Sequence, residues 1–476
     1  MNSRAAHSAH RDSSASARRA AASAGSLVGA IALVVSACAQ PEPTPLPVVN
    51  SVVSRTADSI VVRLSHSPTV ASLAMPSEPS APDSVERVML PVDVGEGHIA
   101  DVEALPDGRV ALLLRDLREV VVLRNGVVER RFGRRGEGPG EFQSPLAVES
   151  TDSGFAVLDR DKVELFGTDG VSVGRPRLPW LPDWSLQRFT KPGVYFRSPF
   201  QSGPEDVSRR LAQFGTAFIV LGGERSVSAL PPQDDRTEYL PLSILRLSSL
   251  TLAADSIGSV RGSERTLSNI MITDGRGQPM SDIVRPADEP LFGARPLVAG
   301  TATWFAVFDP AHNRVAITAP ALAERRVIVW PNDSVRLTDS TRVQAYDWLM
   351  RDFVAGAPNE ADAGKWARYL QREPFAEKLR QSQSYAMSAT LASVAALFAT
   401  RRCLWLLGTD LRDFSDGKGH WGIAVDVETG EAHGPFRLAT RGSELKDIGF
   451  GFAYFTSRTD EGEFIVERTP LPACAD

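Results

Sequence analysis

From Val85 onward the chain is written as short apolar runs, each ended by a Gly, Asp or Asn turn, and this rhythm suits β-strands and little else. Val102–Leu114 reads as two strands around an Asp107-Gly108 turn. Val120–Arg124 runs through Asn125-Gly126, the strongest short hairpin signal, into Val127–Phe132. One such antiparallel meander cannot bury its faces alone in water, so further sheets must stack on it.

The same order recurs. Pro145–Glu149, Phe155–Asp159 and Lys162–Phe166 form a second unit, with turns at Ser153-Gly154 and Thr168-Asp169-Gly170. A third begins near Trp184 and is expanded, with an irregular stretch from Ser198 to Arg210 and strands around Ala217–Leu221 and Leu242–Leu247. A fourth takes Arg295–Gly300, Trp304–Phe308, Arg314–Thr318 and Arg325–Trp330; a fifth takes Thr390–Phe398, Cys403–Leu407 and Trp421–Asp426. Lys446–Phe450, Ala453–Ser457 and Phe464–Arg468 make the last. Six degenerate sheet units predict an all-β, six-bladed β-propeller over residues 85–470, with a strand near Val88–Val94 completing the last blade and closing the ring. Residues 471–476 are left as a tail.

One stretch departs from the strand rhythm. Val343, Tyr346, Leu349, Met350 and Phe353 share a helical face after the cap candidates Thr338, Asp339 and Ser340. Trp366, Tyr369 and Leu370 suggest a second helix, and Pro374 suits the first turn of a third. A small helical insertion at residues 336–386 is therefore expected between blades four and five, either as a packing cap or as a lid or partner-binding arm.

The amino-terminal end reads differently. Arg4, Arg11, Arg18 and Arg19 form a basic leader ahead of the apolar stretch Leu27–Val35, which at nine residues is far short of the ~20 needed to span a bilayer. It ends in Val35-Ser36-Ala37-Cys38, which resembles the bacterial lipobox. That resemblance implies cleavage before Cys38, lipid on its sulfur, and a protein lipid-anchored in the cell envelope, facing the periplasm or exterior. An ordinary signal peptide cut near Ala37 is the alternative. Residues 38–84, polar and Pro-bearing, are expected to be a flexible tether, with Ser59–Leu64 a candidate strand inside it.

Charge narrows the partner classes. Removing residues 1–37 takes away four Arg and Asp12, so 52 basic and 58 acidic side chains become 48 and 57, a net charge of −9. An acidic exported chain without basic runs is a poor nucleic-acid binder. A monomer is expected. The two remaining cysteines, Cys403 and Cys474, are a candidate disulfide in an oxidising compartment, with two unpaired thiols as the alternative.

Gly133-Arg134-Arg135-Gly136-Glu137-Gly138-Pro139-Gly140-Glu141-Phe142-Gln143-Ser144-Pro145, followed by a strand, a Gly turn and Val157-Leu158-Asp159, resembles the NHL-repeat pattern of bacterial six-bladed β-propellers. In that pattern the glycines allow a tight crossover, Phe142 packs between neighbouring sheets and Pro145 opens an innermost strand. The region from about residue 85 to 470 looks like the propeller lipoproteins of environmental bacteria. Relatives of this fold bind proteins, peptides or sugars, and some are calcium-dependent lactonases or cyclising and amidating enzymes, so fold does not settle function.

The sequence offers few chemical motifs. His66, His98, His312, His420 and His433 form no metal-ligand pair, there is no nucleophile elbow or P-loop, and the Gly136–Gly140 run lacks the Lys-Ser or Lys-Thr of a phosphate cradle. No catalytic residue is assigned. Polar residues on or beside the innermost strands are His98, Asp101, Glu103, Glu149, Arg295, Lys446 and Asp447. They are candidates for a channel-mouth site, with calcium as the conceivable cofactor, or else they solvate a water-filled channel. A binding or scaffold module for a protein, peptide or carbohydrate is the expected function; a calcium-dependent lactonase-like hydrolase or lyase is the alternative.

Overall fold

A computed structural model describes residues 51–74, 85–176, 211–222, 237–273, 279–288, 293–319, 325–341, 388–409, 421–438, 443–459 and 463–471, apart from isolated positions within those spans. Six sheets arise in the predicted order. Blade one is Ile99–Ala104, Arg109–Leu114, Glu119–Arg124 and Val127–Phe132, and blade two is Pro145–Thr151, Gly154–Asp159, Lys162–Gly167 and Ser172–Gly174. Blade three is larger, with Leu211–Phe214, Ala217–Gly222, Thr237–Ser248, Ala254–Thr273 and Pro279–Asp288. Blade four has Leu297–Gly300, Phe305–Asp309, Arg314–Thr318 and Arg325–Val329; blade five has Ala396–Ala399, Cys403–Leu407, Trp421–Asp426 and Ala432–Arg437. Blade six combines Glu444–Gly449, Phe452–Arg458 and Phe464–Pro470 with Glu86–Val88 from the other end of the domain. The first strand of each blade lies innermost, and the six innermost strands touch in a closed ring, blade six meeting blade one.

This arrangement explains why the central strands read as continuous apolar runs. In Arg109–Leu114, Ala111 and Leu113 join the cluster shared with blade two, while Val110, Leu112 and Leu114 join the cluster shared with blade six. Both faces of a middle strand are buried, so alternation disappears. Each of the six junctions has its own apolar cluster.

The closing strand is Glu86–Val88 rather than Val88–Val94. Pro91 lacks an N–H for a ladder, and its carbonyl instead accepts the Val94 N–H at 2.9 Å to start the helical turn Val92–Gly95.

A second difference is larger. Residues 51–74, expected to be flexible tether, are folded. Ser51–Arg55 and Ser59–Leu64 form a hairpin whose second strand pairs in parallel with Arg325–Val329, making blade four a six-stranded sheet. The alternation in Ser59–Leu64 drives this docking: Ile60, Val62 and Leu64 enter the cluster between blades four and five. A short helix, Pro68–Leu73, then caps blade five. Its Ser67 Oγ accepts the Val70 N–H at 3.3 Å, Thr69 Oγ1 donates to the Ala392 carbonyl at 2.7 Å, and Thr409 N–H donates to Thr69 Oγ1 at 2.9 Å.

The expected insertion lies mostly outside the described residues. Its entry is described: Thr338 Oγ1 accepts the Thr341 N–H at 3.2 Å, an N-cap at the first helical residues. Its base is pinched by a bridge between Arg336 and Thr390 and by Leu391 N–H to the Val335 carbonyl at 2.9 Å. Trp184 and Cys38 also lie outside the described residues. No described helix is long and apolar enough to cross a membrane.

Candidate functional site

The Gly-rich crossover between blades one and two is built as the sequence pattern suggests. Phe142 is fully buried among Phe132, Phe155 and Phe166. Gly133, at φ +88°, leaves room that a Cβ would take from the Phe142 ring, 2.3 Å away. Carboxylates fill the loop: Gly138 N–H donates to Glu141 Oε2 at 2.7 Å, and Gly140 N–H donates to the buried Glu164 Oε1 at 2.6 Å. Asp159, also buried, accepts the Gln143 and Ser144 amides at 2.8 and 2.7 Å. The amides that would cradle a phosphate are thus occupied, and this loop is structural.

The channel wall at blades six, one and two collects five of the seven sequence candidates. Asp447 Oδ2 accepts the Ala104 N–H of blade one at 2.7 Å, and its Oδ1 accepts the Ile448 N–H at 2.7 Å. Asp101 repeats the device one blade on, accepting Val148 N–H of blade two at 2.9 Å and its neighbour Val102 N–H at 3.0 Å. Both aspartates stand at a β-bulge of an innermost strand. Glu103 accepts the Ser150 N–H at 3.0 Å and its hydroxyl at 2.6 Å. An innermost strand is a sheet edge whose alternate amides have no ladder partner. These carboxylates supply the acceptors and join blade six to blade one and blade one to blade two.

Lys446 supplies the local cation, bonding the Ala100 carbonyl at 3.1 Å and Glu444 at 3.0 Å. Glu444 was not singled out from sequence; its place two residues before Lys446 on one strand was the available signal. Burial pushes Asp101 up to about 7, against the Val148 amide and Lys446, which favour its anion, and with Asp447 adding repulsion. Burial likewise lifts Asp447 to about 6. Glu103 is held well above the usual carboxylate range, first by burial and then by Glu149 and Asp447.

His98 lies at the start of the blade-one innermost strand, stacked on Phe464 with ring centroids 5.1 Å apart. Burial lowers its pKa; Asp116 opposes this and Arg115, Arg458 and Lys446 reinforce it. Arg295 is not brought to this cluster: it precedes the innermost strand of blade four, across the ring. Among the described residues no three His, Cys, Asp or Glu side chains are grouped to hold a metal ion. Cys403 is buried and disulfide-bonded; Cys474, its expected partner, lies outside the described residues.

Three solved structures match the chain at low identity. A Bacteroides fragilis protein described as exported matches with TM-score 0.40 and 10% identity, covering 83% of this chain and 98% of its own. An aldose sugar dehydrogenase from Streptomyces coelicolor, in its PQQ-bound form, gives 0.32 and 13%, covering 82% and 99%. A virginiamycin B lyase from Staphylococcus aureus gives 0.30 and 9%, covering 82% and 90%. No protein-family model matches the sequence, and none of the curated proteins compared matches it.

Proposed function

We propose that this chain is an exported, lipid-anchored β-propeller that serves as a binding or scaffold module for a protein, peptide or carbohydrate. One observation carries the reading: Asp101, Glu103 and Asp447, the acids best placed for channel chemistry, each accept a backbone amide of the next blade. A side chain that joins blades is poorly free to gather round a calcium ion or move during a reaction.

The experiment compares thermal melts of the chain from residue 38 with calcium and with a chelator, alongside saturation binding to envelope polysaccharide and peptide arrays. Unchanged melting together with saturable, chelator-resistant binding supports the module. A calcium-dependent rise in melting temperature together with lactone hydrolysis overturns it in favour of the metal-dependent hydrolase.

A further inference from the structure

The side-chain bonds that join blades six, one and two all run through carboxyl groups, which makes these junctions sensitive to protons. We propose that this part of the ring is a proton-operated clasp, closed while its carboxyls hold protons and loosened when they release them to solvent. The inference is independent of which ligand the propeller binds.

Geometry carries it. Asp447 Oδ2 holds the Ala104 amide at 2.7 Å, Asp101 Oδ2 the Val148 amide at 2.9 Å and Glu103 Oε1 the Ser150 amide at 3.0 Å. These bonds draw four acids together, because Ala104 follows Glu103 in the chain and Glu149 stands between Val148 and Ser150. Asp101 is buried, and Glu103, Glu149 and Asp447 are half-buried. Among the described residues the cation set within this group is Lys446, already shared between Glu444 at 3.0 Å and the Ala100 carbonyl at 3.1 Å. The elements packed against the group offset little of its charge. The innermost strands of blades three and five, Leu211–Phe214 and Ala396–Ala399, bear no ionisable residue. In the second strand of blade one Arg109 lies 3.9 Å from Glu129, and in that of blade six Tyr454 bonds Arg468 while Arg458 covers Phe464. Arg115 and Asp116 act in opposite senses on His98, whose pKa burial lowers. Four carboxylates ionised side by side would therefore repel with a single, committed ammonium among them.

Two effects oppose each other at every carboxyl. The anion is the better acceptor for two amides; the neutral group loses one good acceptor but carries no charge into a desolvated, acidic wall. For Asp101 and Asp447 burial outweighs the amides and holds them up to about 7 and about 6, against ~3.9 for an aspartate in water. Glu103 is held well above the usual carboxylate range, by burial first and then by Glu149 and Asp447. A junction that opens to water returns these groups to ordinary values, so opening releases protons. The advantage of the closed clasp is complete below the open-state value and is lost as pH rises through about 7.

The test is hydrogen exchange by mass spectrometry on the chain from residue 38 at pH 5 and pH 7, read as protection factors so that the intrinsic pH dependence of exchange is removed. Peptides covering residues 99–104 and 145–151 should lose about tenfold or more in protection between the two values, while peptides covering residues 305–318 of blade four stay level. The loss should shrink in Asp101→Asn and in Glu103→Gln, which keep an acceptor oxygen for the next blade's amide, and in Glu149→Gln, which removes repulsion on Glu103. Protection at those peptides that ignores pH, that falls equally around the whole ring, or that keeps its full pH dependence in both Asp101→Asn and Glu103→Gln overturns the clasp.

Discussion

If residues 59–64 are part of the fold, shortening Ile60 to Ala must destabilise the whole ring. Ile60 is 1% exposed and Leu64 3%, both in the cluster that joins blades four and five. Truncating a buried Ile or Leu to Ala costs about 2–5 kcal/mol, a large share of the ~5–15 kcal/mol that holds a domain together. Deleting residues 51–74 also uncovers the outer edge of Arg325–Val329 and removes the helix from blade five. Trp304 and Trp330 lie in the same cluster, so their fluorescence follows unfolding in urea directly. We expect Ile60→Ala and Leu64→Ala each to lower the unfolding free energy by about 2–4 kcal/mol. Val52→Ala, at a position 63% exposed, should stay within about 0.5 kcal/mol. A free tether would leave all three variants indistinguishable from the parent, and that result would refute the docking.

Phe142→Ala should cost about 3–5 kcal/mol in the same urea assay, and Gly133→Ala should also destabilise, because its Cβ would lie 2.3 Å from the Phe142 ring; a neutral result for Phe142→Ala would mean that the crossover is not a packing unit. The folded-state pKa of Asp101 lies near 7, above the ~3.9 of an unfolded aspartate, so its contribution to stability is fully present below the unfolded value and lost as pH rises through 7. The parent should therefore melt higher at pH 5.5 than at pH 8, with a shallower dependence in Asp101→Asn; equal slopes would contradict this. Cys403 is disulfide-bonded, so mapping the unreduced protein should recover a peptide pair joining Cys403 to Cys474, and two free thiols in the denatured, unreduced chain would contradict it.

The sequence was legible where one residue type does one job. Asn125-Gly126 and the Ser153-Gly154 turn announce hairpins because their positive-φ residues satisfy turns that most side chains resist. Phe142 and Pro145 announce a crossover and an inner strand. The strap at residues 51–74 was harder to read. Six alternating residues in a Pro-bearing stretch carry a strand signal too short to outweigh composition, and their partner, Arg325–Val329, lies more than two hundred and fifty residues away. The channel acids were found as polar residues on innermost strands, but their use was hidden: whether Asp101 faces a ligand or the Val148 amide depends on a bulge and on the next blade's register.

That dependence bears on where a ligand can be bound. To turn Asp101 or Asp447 toward a substrate, the protein would release amides at two positions, one in its own strand and one in the next blade. Each buried donor left unsatisfied costs about 1–3 kcal/mol, and the ring would loosen between blades one and two for Asp101 or between blades six and one for Asp447. Protonation relaxes this constraint only in part: the two amides sit on different oxygens, so a neutral carboxyl still accepts one through its carbonyl oxygen, while its hydroxyl becomes a poor acceptor for the other and gains a donor proton. Binding that leaves the ring intact is therefore best sought outside this wall, as at the group of His98, Phe464 and Arg458, where His98 stacks on Phe464 and Arg458 lies 4.4 Å from the Phe464 ring centroid.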